Sequence, residues 1–190
     1  MKKWIAFLGL FFLTACIGTS LPTTFYTLKP GEPTKTFPTT ATIGVDPVKL
    51  PAFLDKPQIV VRQKDGIQLK FSETHRWSEP LSSLLQRTLA EDMTRALPKA
   101  EVKPKTSARE RFDYVVAVEI ADLSGAFEGE MTLDAWWSIT DTSGYAIARR
   151  RTTLSEPLKD SYADLVLTQG KLVNRLADEI ARQIAGLRKK

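Results

Sequence analysis

His75 is the only histidine in the 190-residue chain, and Cys16 is the only cysteine. Catalysis at neutral pH usually wants a titratable group beside a nucleophile, a metal or a phosphate cradle. His75 has no second imidazole to pair with and reads as a polar residue just before a helix. Asp122, Glu128, Glu130 and Asp134 gather around an expected turn. Paired carboxylates can cleave glycosidic bonds, but acids near a hairpin are far more often solvated charges. No G-x-S-x-G, H-E-x-x-H, G-x-G-x-x-G or P-loop pattern occurs, and no Cys/His cluster has zinc-ligand spacing. The sequence therefore predicts no enzymatic activity, no metal and no cofactor.

The thiol of Cys16 is a different matter. Met1-Lys2-Lys3 precedes the apolar run from Trp4 to Leu13, which is a signal-peptide pattern. A spanning helix needs about 20 apolar residues, roughly twice this length. The run ends in Leu13-Thr14-Ala15-Cys16, which resembles the bacterial lipobox. In that motif the thiolate accepts diacylglycerol as a thioether, and cleavage before the cysteine frees an α-amine for a further acyl chain. At about 0.8 kcal/mol per buried CH₂ one chain anchors only marginally, whereas two or three anchor firmly. A structural cysteine in a helical N-terminus explains neither the flanks nor the apolar length. Ile17 follows the cysteine where inner-membrane lipoproteins tend to carry Asp, so the sorting rule implies the outer membrane, on its periplasmic face. Residues 1–15 are thus expected to be a lipoprotein signal peptide, 16–40 a lipidated, Thr/Pro-rich tether, and 41–190 a single α+β domain.

The formal charge is +5, and removing Lys2 and Lys3 leaves +3, too modest an excess to argue for a polyanion. Arg149-Arg150-Arg151 lies on an expected strand, so its side chains alternate between faces. No nucleic-acid partner is expected; contact with acidic lipid or lipopolysaccharide stays open.

The hydrophobic period shows which elements must hold these residues. Phe25-Tyr26-Thr27-Leu28 reads as a short strand or a segment packed on the domain. Ala41 to Leu50 alternates up to a break at Pro47. Gln58–Gln63 and Ile67–Ser72 flank Lys64-Asp65-Gly66, a hairpin signal. Leu81, Leu84, Leu85, Leu89 and Leu97 then give a helical stripe, with Ser78 as its expected N-cap and Pro98 as its stop. After a polar linker the period returns to two through Tyr114, Val116, Val118 and Ile120, then Met131, Leu133, Ala135, Trp137 and Ile139. A third strand follows Thr142-Ser143-Gly144. The last segment is amphipathic, with Ser161 as its cap and Leu165, Leu172, Leu176, Ile180 and Ile184 on its apolar face. This order predicts an α+β fold: a mostly antiparallel sheet of about six or seven strands, with two amphipathic helices packed on one face.

Two aromatic sites are candidates for contact with a partner. Arg76 and Trp77 precede the first helix, and Arg and Trp are enriched at interface hot spots; the plainer reading is that Trp77 staples the incoming chain. Trp136 and Trp137 are adjacent on a strand and must point to opposite faces. The apolar neighbours of Trp137 assign it to the core and leave Trp136 on the other face.

The order of these segments resembles the ABC-type transport auxiliary lipoprotein family of the PqiC/YmbA type. The likeness rests on Val48 with Leu50-Pro51, the run from Leu54 through Pro57-Gln58-Ile59-Val60 to Arg62, and Trp77 with Pro80-Leu81. It covers nearly the whole mature chain. It implies a non-enzymatic subunit, tethered to the outer membrane of a Gram-negative bacterium. Its implied partner is an MCE-domain protein of a lipid transport system that supports envelope integrity. A homo-oligomer would suit a symmetric partner. The competing reading is an outer-membrane assembly factor or a direct lipid or lipopolysaccharide carrier.

Overall fold

The computed structural model describes residues 22–187. The expected signal peptide, Cys16 and the last three residues lie outside the described residues. In chain order the elements are β1 (Thr24–Tyr26), β2 (Thr42–Val45), β3 (Gln58–Arg62), β4 (Leu69–Trp77), α1 (Leu81–Ala96), β5 (Glu101–Pro104), β6 (Tyr114–Gly125), β7 (Gly129–Asp141), β8 (Ala146–Leu158) and α2 (Tyr162–Ala185).

The expected meander is β6-β7-β8, antiparallel throughout. Its inward residues, among them Val116, Leu123, Met131, Leu133 and Ile139, are fully buried. Gly144 closes the β7–β8 turn at φ 84°, and Gly66 closes the β3–β4 hairpin at φ 73°, conformations that cost glycine nothing. α1 packs on β2 and β5, α2 packs on β7 and β8, and the helices pack on each other. Both therefore cover one face of one sheet, as their apolar stripes require.

The single sheet of six or seven strands is, in the structure, eight strands in two mixed sheets, ordered β1-β4-β3 and β5-β2-β6-β7-β8. The cause is β5. Glu101–Pro104 is short and polar and ends in proline, so it reads as linker. It nevertheless pairs parallel with β2, which also pairs parallel with β6. With both edges of β2 taken, the β3–β4 hairpin does not pair beside it and instead recruits β1, parallel to β4. Pro47 does break β2, and the chain then follows β6 irregularly, with the Lys49 N–H on Val118 O at 3.0 Å.

Two local expectations change. Ser78 does not cap α1: Pro80 occupies that position without a side-chain bond, while the Ser78 N–H donates to Tyr26 O at 2.9 Å. Nor is the expected tether loose from Thr24 onward. After β1, residues 28–37 form a strap across both helices. Leu28 is buried; the Gly31 N–H donates to Asp92 Oδ1 at 2.7 Å, the Thr34 N–H to Asp178 Oδ2 at 2.8 Å and the Phe37 N–H to Ala96 O at 2.8 Å. Pro- and Thr-rich segments lack helical period, but their backbone donors can still be satisfied by a neighbouring surface. Ser161 caps α2 as expected, accepting from the Asp164 N–H at 3.0 Å.

Candidate functional site

The titratable residues singled out by the sequence are not assembled for catalysis. His75 lies on β4 in an aromatic cluster: its Nδ1 bonds the Tyr26 hydroxyl at 2.9 Å, and its ring stacks on Tyr162 at 3.9 Å. Phe127 meets the same tyrosine edge-on. This cluster joins β1, β4 and the first turn of α2, a packing role. Asp122 and Asp134 are register partners beside a bulge in β6, yet each faces its own arginine. Asp122 accepts from Arg62 at 3.0 Å and from the Ser124 hydroxyl at 2.6 Å. Asp134 accepts two bonds from Arg151, at 2.9 and 2.7 Å. Those bonds hold the Asp134 carboxyl below its ordinary value, so it cannot serve as a proton donor near neutrality. Glu128 pairs with Lys64 across the surface. No group of three or more His, Cys, Asp or Glu side chains is placed to hold a metal ion among the described residues.

The tryptophans divide as alternation requires. Trp137 is 4% exposed and donates its indole N–H to Thr152 Oγ1 at 3.0 Å. That hydroxyl in turn donates to Glu179 on α2 at 2.7 Å. Trp136 projects from the opposite, helix-free face and is 45% exposed. The Arg151 guanidinium lies 5.6 Å from the Trp136 ring centre, fixed there by its two-point bond to Asp134. Arg149 shares this outer face, opposite Ser138, whereas Arg150 points to the helix face, opposite Trp137. The arginine run is therefore split by alternation. Trp136 and Arg149 border a shallow pocket of about 470 Å³ with Lys49, Ala117, Glu119 and Ser138. An exposed aromatic ring thus stands beside two arginines on the helix-free face of the sheet.

The other proposed contact pair fares differently. Trp77 is 5% exposed and belongs to the main core, so its ring acts as the staple before α1. Arg76 is half-buried, and its Nε has no hydrogen-bond partner among the described residues. The two are thus not brought together with Trp136 as one exposed patch.

Sequence reasoning missed the strap and the polar groups beneath it. Asp92, fully buried on α1, accepts from Gly31, while its Oδ2 and the nearby Asn174 Nδ2 make no well-aligned hydrogen bond among the described residues. Burial pushes the Asp92 carboxyl up to about 6, against the pull of the Gly31 N–H, Asn174 and Arg95; Asp178 adds to the rise. The signal was legible: an acid in the apolar stripe of α1, between Leu89 and Met93. Beside the strap, Pro30, Val166, Leu167 and Gly170 line a groove of about 740 Å³ along α2.

The profile of the family described as "ABC-type transport auxiliary lipoprotein component" matches residues 26–181. The crystal structure of an uncharacterized protein superposes with a TM-score of 0.73 at 21% identity, covering 86% of this chain and 99% of that one. A DUF330 protein from Xanthomonas campestris superposes with a TM-score of 0.71 at 18% identity, covering 86% of this chain and 97% of that one. A PelC dodecamer from Paraburkholderia phytofirmans is more distant, with a TM-score of 0.44 at 12% identity over 86% of this chain and 98% of that one. No curated protein sequence matches significantly. The fold is that of the first two structures, and a profile match over most of the chain, beginning inside β1 and ending in α2, places the protein in the ABC-type transport auxiliary lipoprotein component family.

Proposed function

We propose that the protein is a lipid-anchored accessory subunit, held at the periplasmic face of the outer membrane through Cys16, that docks an MCE-type lipid transport assembly and so supports envelope integrity. One observation carries this reading: the family profile, which names a transport auxiliary lipoprotein, spans residues 26–181. The lipobox-like Leu13-Thr14-Ala15-Cys16 agrees with it. The outer face around Trp136 and Arg149 supplies a surface that could dock. A subunit of this kind acts by position, since nucleotide hydrolysis in such systems resides in a separate chain. A homo-oligomer would match a symmetric partner. The test is capture of the full-length lipidated protein from detergent-solubilised envelopes. An MCE-domain protein should co-purify; a properly lipidated bait that recovers none refutes the docking role.

A second reading, direct carriage of a lipid, is favoured by the largely apolar groove between the strap and α2. Native mass spectrometry separates the two. A lipid retained by the purified protein supports carriage, and a lipid-free mass leaves docking alone.

A further inference from the structure

Sheets accept new strands at their edges. β5 forms one edge of the five-stranded sheet and β8 the other. β5 has four residues and ends in Pro104, so it offers little backbone. β8 has 13 residues, and its outer side has no strand partner among the described residues. A bulge at Ile147 interrupts its beginning, after which the register with β7 runs unbroken from Ala148 to Leu158. Pro157 closes the usable stretch, because it has no N–H to donate.

The charge on this edge is specific. Arg149 extends to the outer face and Arg150 to the helix face, and both are exposed. Arg151 is already paired with Asp134. Arg150 reaches the Arg149 carbonyl oxygen at 3.0 Å, but neither Arg149 nor Arg150 has a carboxylate partner among the described residues. The acids nearest along the edge are engaged elsewhere, Glu156 with Arg175 and Glu179 with Thr152. A second copy pairing antiparallel over Ala148–Glu156 would set Arg149 opposite Ser155 and Arg150 opposite Leu154, offering a carboxylate to neither. An incoming strand with acids at two adjacent positions would present one carboxylate to each face, meeting the Arg149 and Arg150 guanidiniums.

We propose that β8, from Ala148 to Glu156, accepts an extended acidic segment of a partner protein as an added strand, with adjacent carboxylates on Arg149 and Arg150. This deepens the docking role proposed above by naming its surface and the chemistry of its occupant. Two carbonyls of this edge already accept from side chains, Arg149 O from Arg150 at 3.0 Å and Ser155 O from Arg175 at 3.3 Å; the remaining outward backbone groups supply the affinity of the added strand, and the two arginines select its charge and register.

The test uses the full-length chain in detergent micelles. The probe is a fluorescein-labelled peptide of alternating threonine and valine with two adjacent central glutamates. Its anisotropy should saturate, and amide hydrogen exchange should slow at alternate residues of 148–156. Replacing the glutamates by lysines, or the protein residues by Arg149→Glu with Arg150→Glu, should weaken binding by about tenfold or more. Arg149→Lys with Arg150→Lys should retain most of it, which separates charge recognition from a folding defect. Absence of saturable binding, or equal binding of the lysine peptide, overturns the proposal. Exchange protection of β8 that rises with protein concentration alone also overturns it, because a second copy then occupies the edge. If the envelope capture recovers an MCE protein while the peptide fails, the docking role stands and the edge assignment falls.

Discussion

Replacing Asp92 by asparagine should stabilise the protein and remove a pH dependence opposite to that of ordinary acid denaturation. Asp92 is fully buried between α1, α2 and the strap, and its carboxyl is raised from 3.8 to about 6 by burial first, with Asp178 adding to the effect. That rise of roughly two units corresponds to about 3 kcal/mol of preference for the protonated form. A raised folded-state value means the stabilising contribution is fully present below the unfolded value and is lost as pH rises through about 6. Going from about pH 7.5 down to about pH 5 should therefore recover about 1.4 kcal/mol from this group. Carboxylates such as Glu79 and Asp134, whose values are lowered by Arg87 and Arg151, act in the opposite sense. Their contribution is lost only as pH falls through their ordinary range and below.

Asparagine keeps an oxygen for the Gly31 N–H but carries no charge to desolvate. The exchange of a charge-assisted bond for a neutral one returns about 1 kcal/mol, so Asp92→Asn should gain about 2 kcal/mol near pH 7.5 and raise Tm by about 4–8 °C. Urea unfolding of both proteins at the two pH values measures this directly. Identical pH responses would refute the reasoning. So would a variant that loses more than about 1 kcal/mol near pH 7.5, because the ionised carboxylate would then be holding the strap.

A methyl at Gly44 would sit 2.5 Å from the Phe112 ring, so Gly44→Ala should cost about 1–3 kcal/mol in urea unfolding. Pairing it with Phe112→Leu should recover part of that loss. Trp137→Phe removes the indole bond to Thr152 and core volume, and should lose about 1–3 kcal/mol. Trp136→Ala should change stability by about 1 kcal/mol or less while reducing co-purification of the proposed MCE partner. Cys16→Ser should abolish palmitate incorporation and release the protein from the membrane fraction, and globomycin should block processing of the native precursor. Unchanged fractionation and labelling would remove Cys16 as the anchor.

The long elements were legible because one period governs each of them. In β7 every second residue from Met131 to Ile139 is buried, so alternation alone placed Trp136 outside and Trp137 inside. The stripes of α1 and α2 were equally clear. What escaped notice was structure held by backbone pairing without apolar period. β5 is polar and proline-ended, and only its parallel registry with β2 makes it a strand. The strap likewise has no repeating pattern; it is positioned by N–H groups that find Asp92, Asp178 and Ala96 O. Trp77 marks a different limit. Its residue type suits both an interface and a staple, and local sequence cannot say which side of the chain the core will occupy. Ser78 lost its capping role for the same reason: its N–H was taken by β1, an element distant in sequence.

The strap also sets a length. A chain that is free up to residue 40 could let the folded body range over about 85 Å from an anchored Cys16. With Thr24 already seated against His75 in the β1–β4 pair, only seven residues separate the anchor position from the body, a reach of about 28 Å at full extension. A protein acylated at Cys16 would thus ride close to its bilayer on a short leash. A partner docking a body so anchored would have to reach to within that distance of the bilayer.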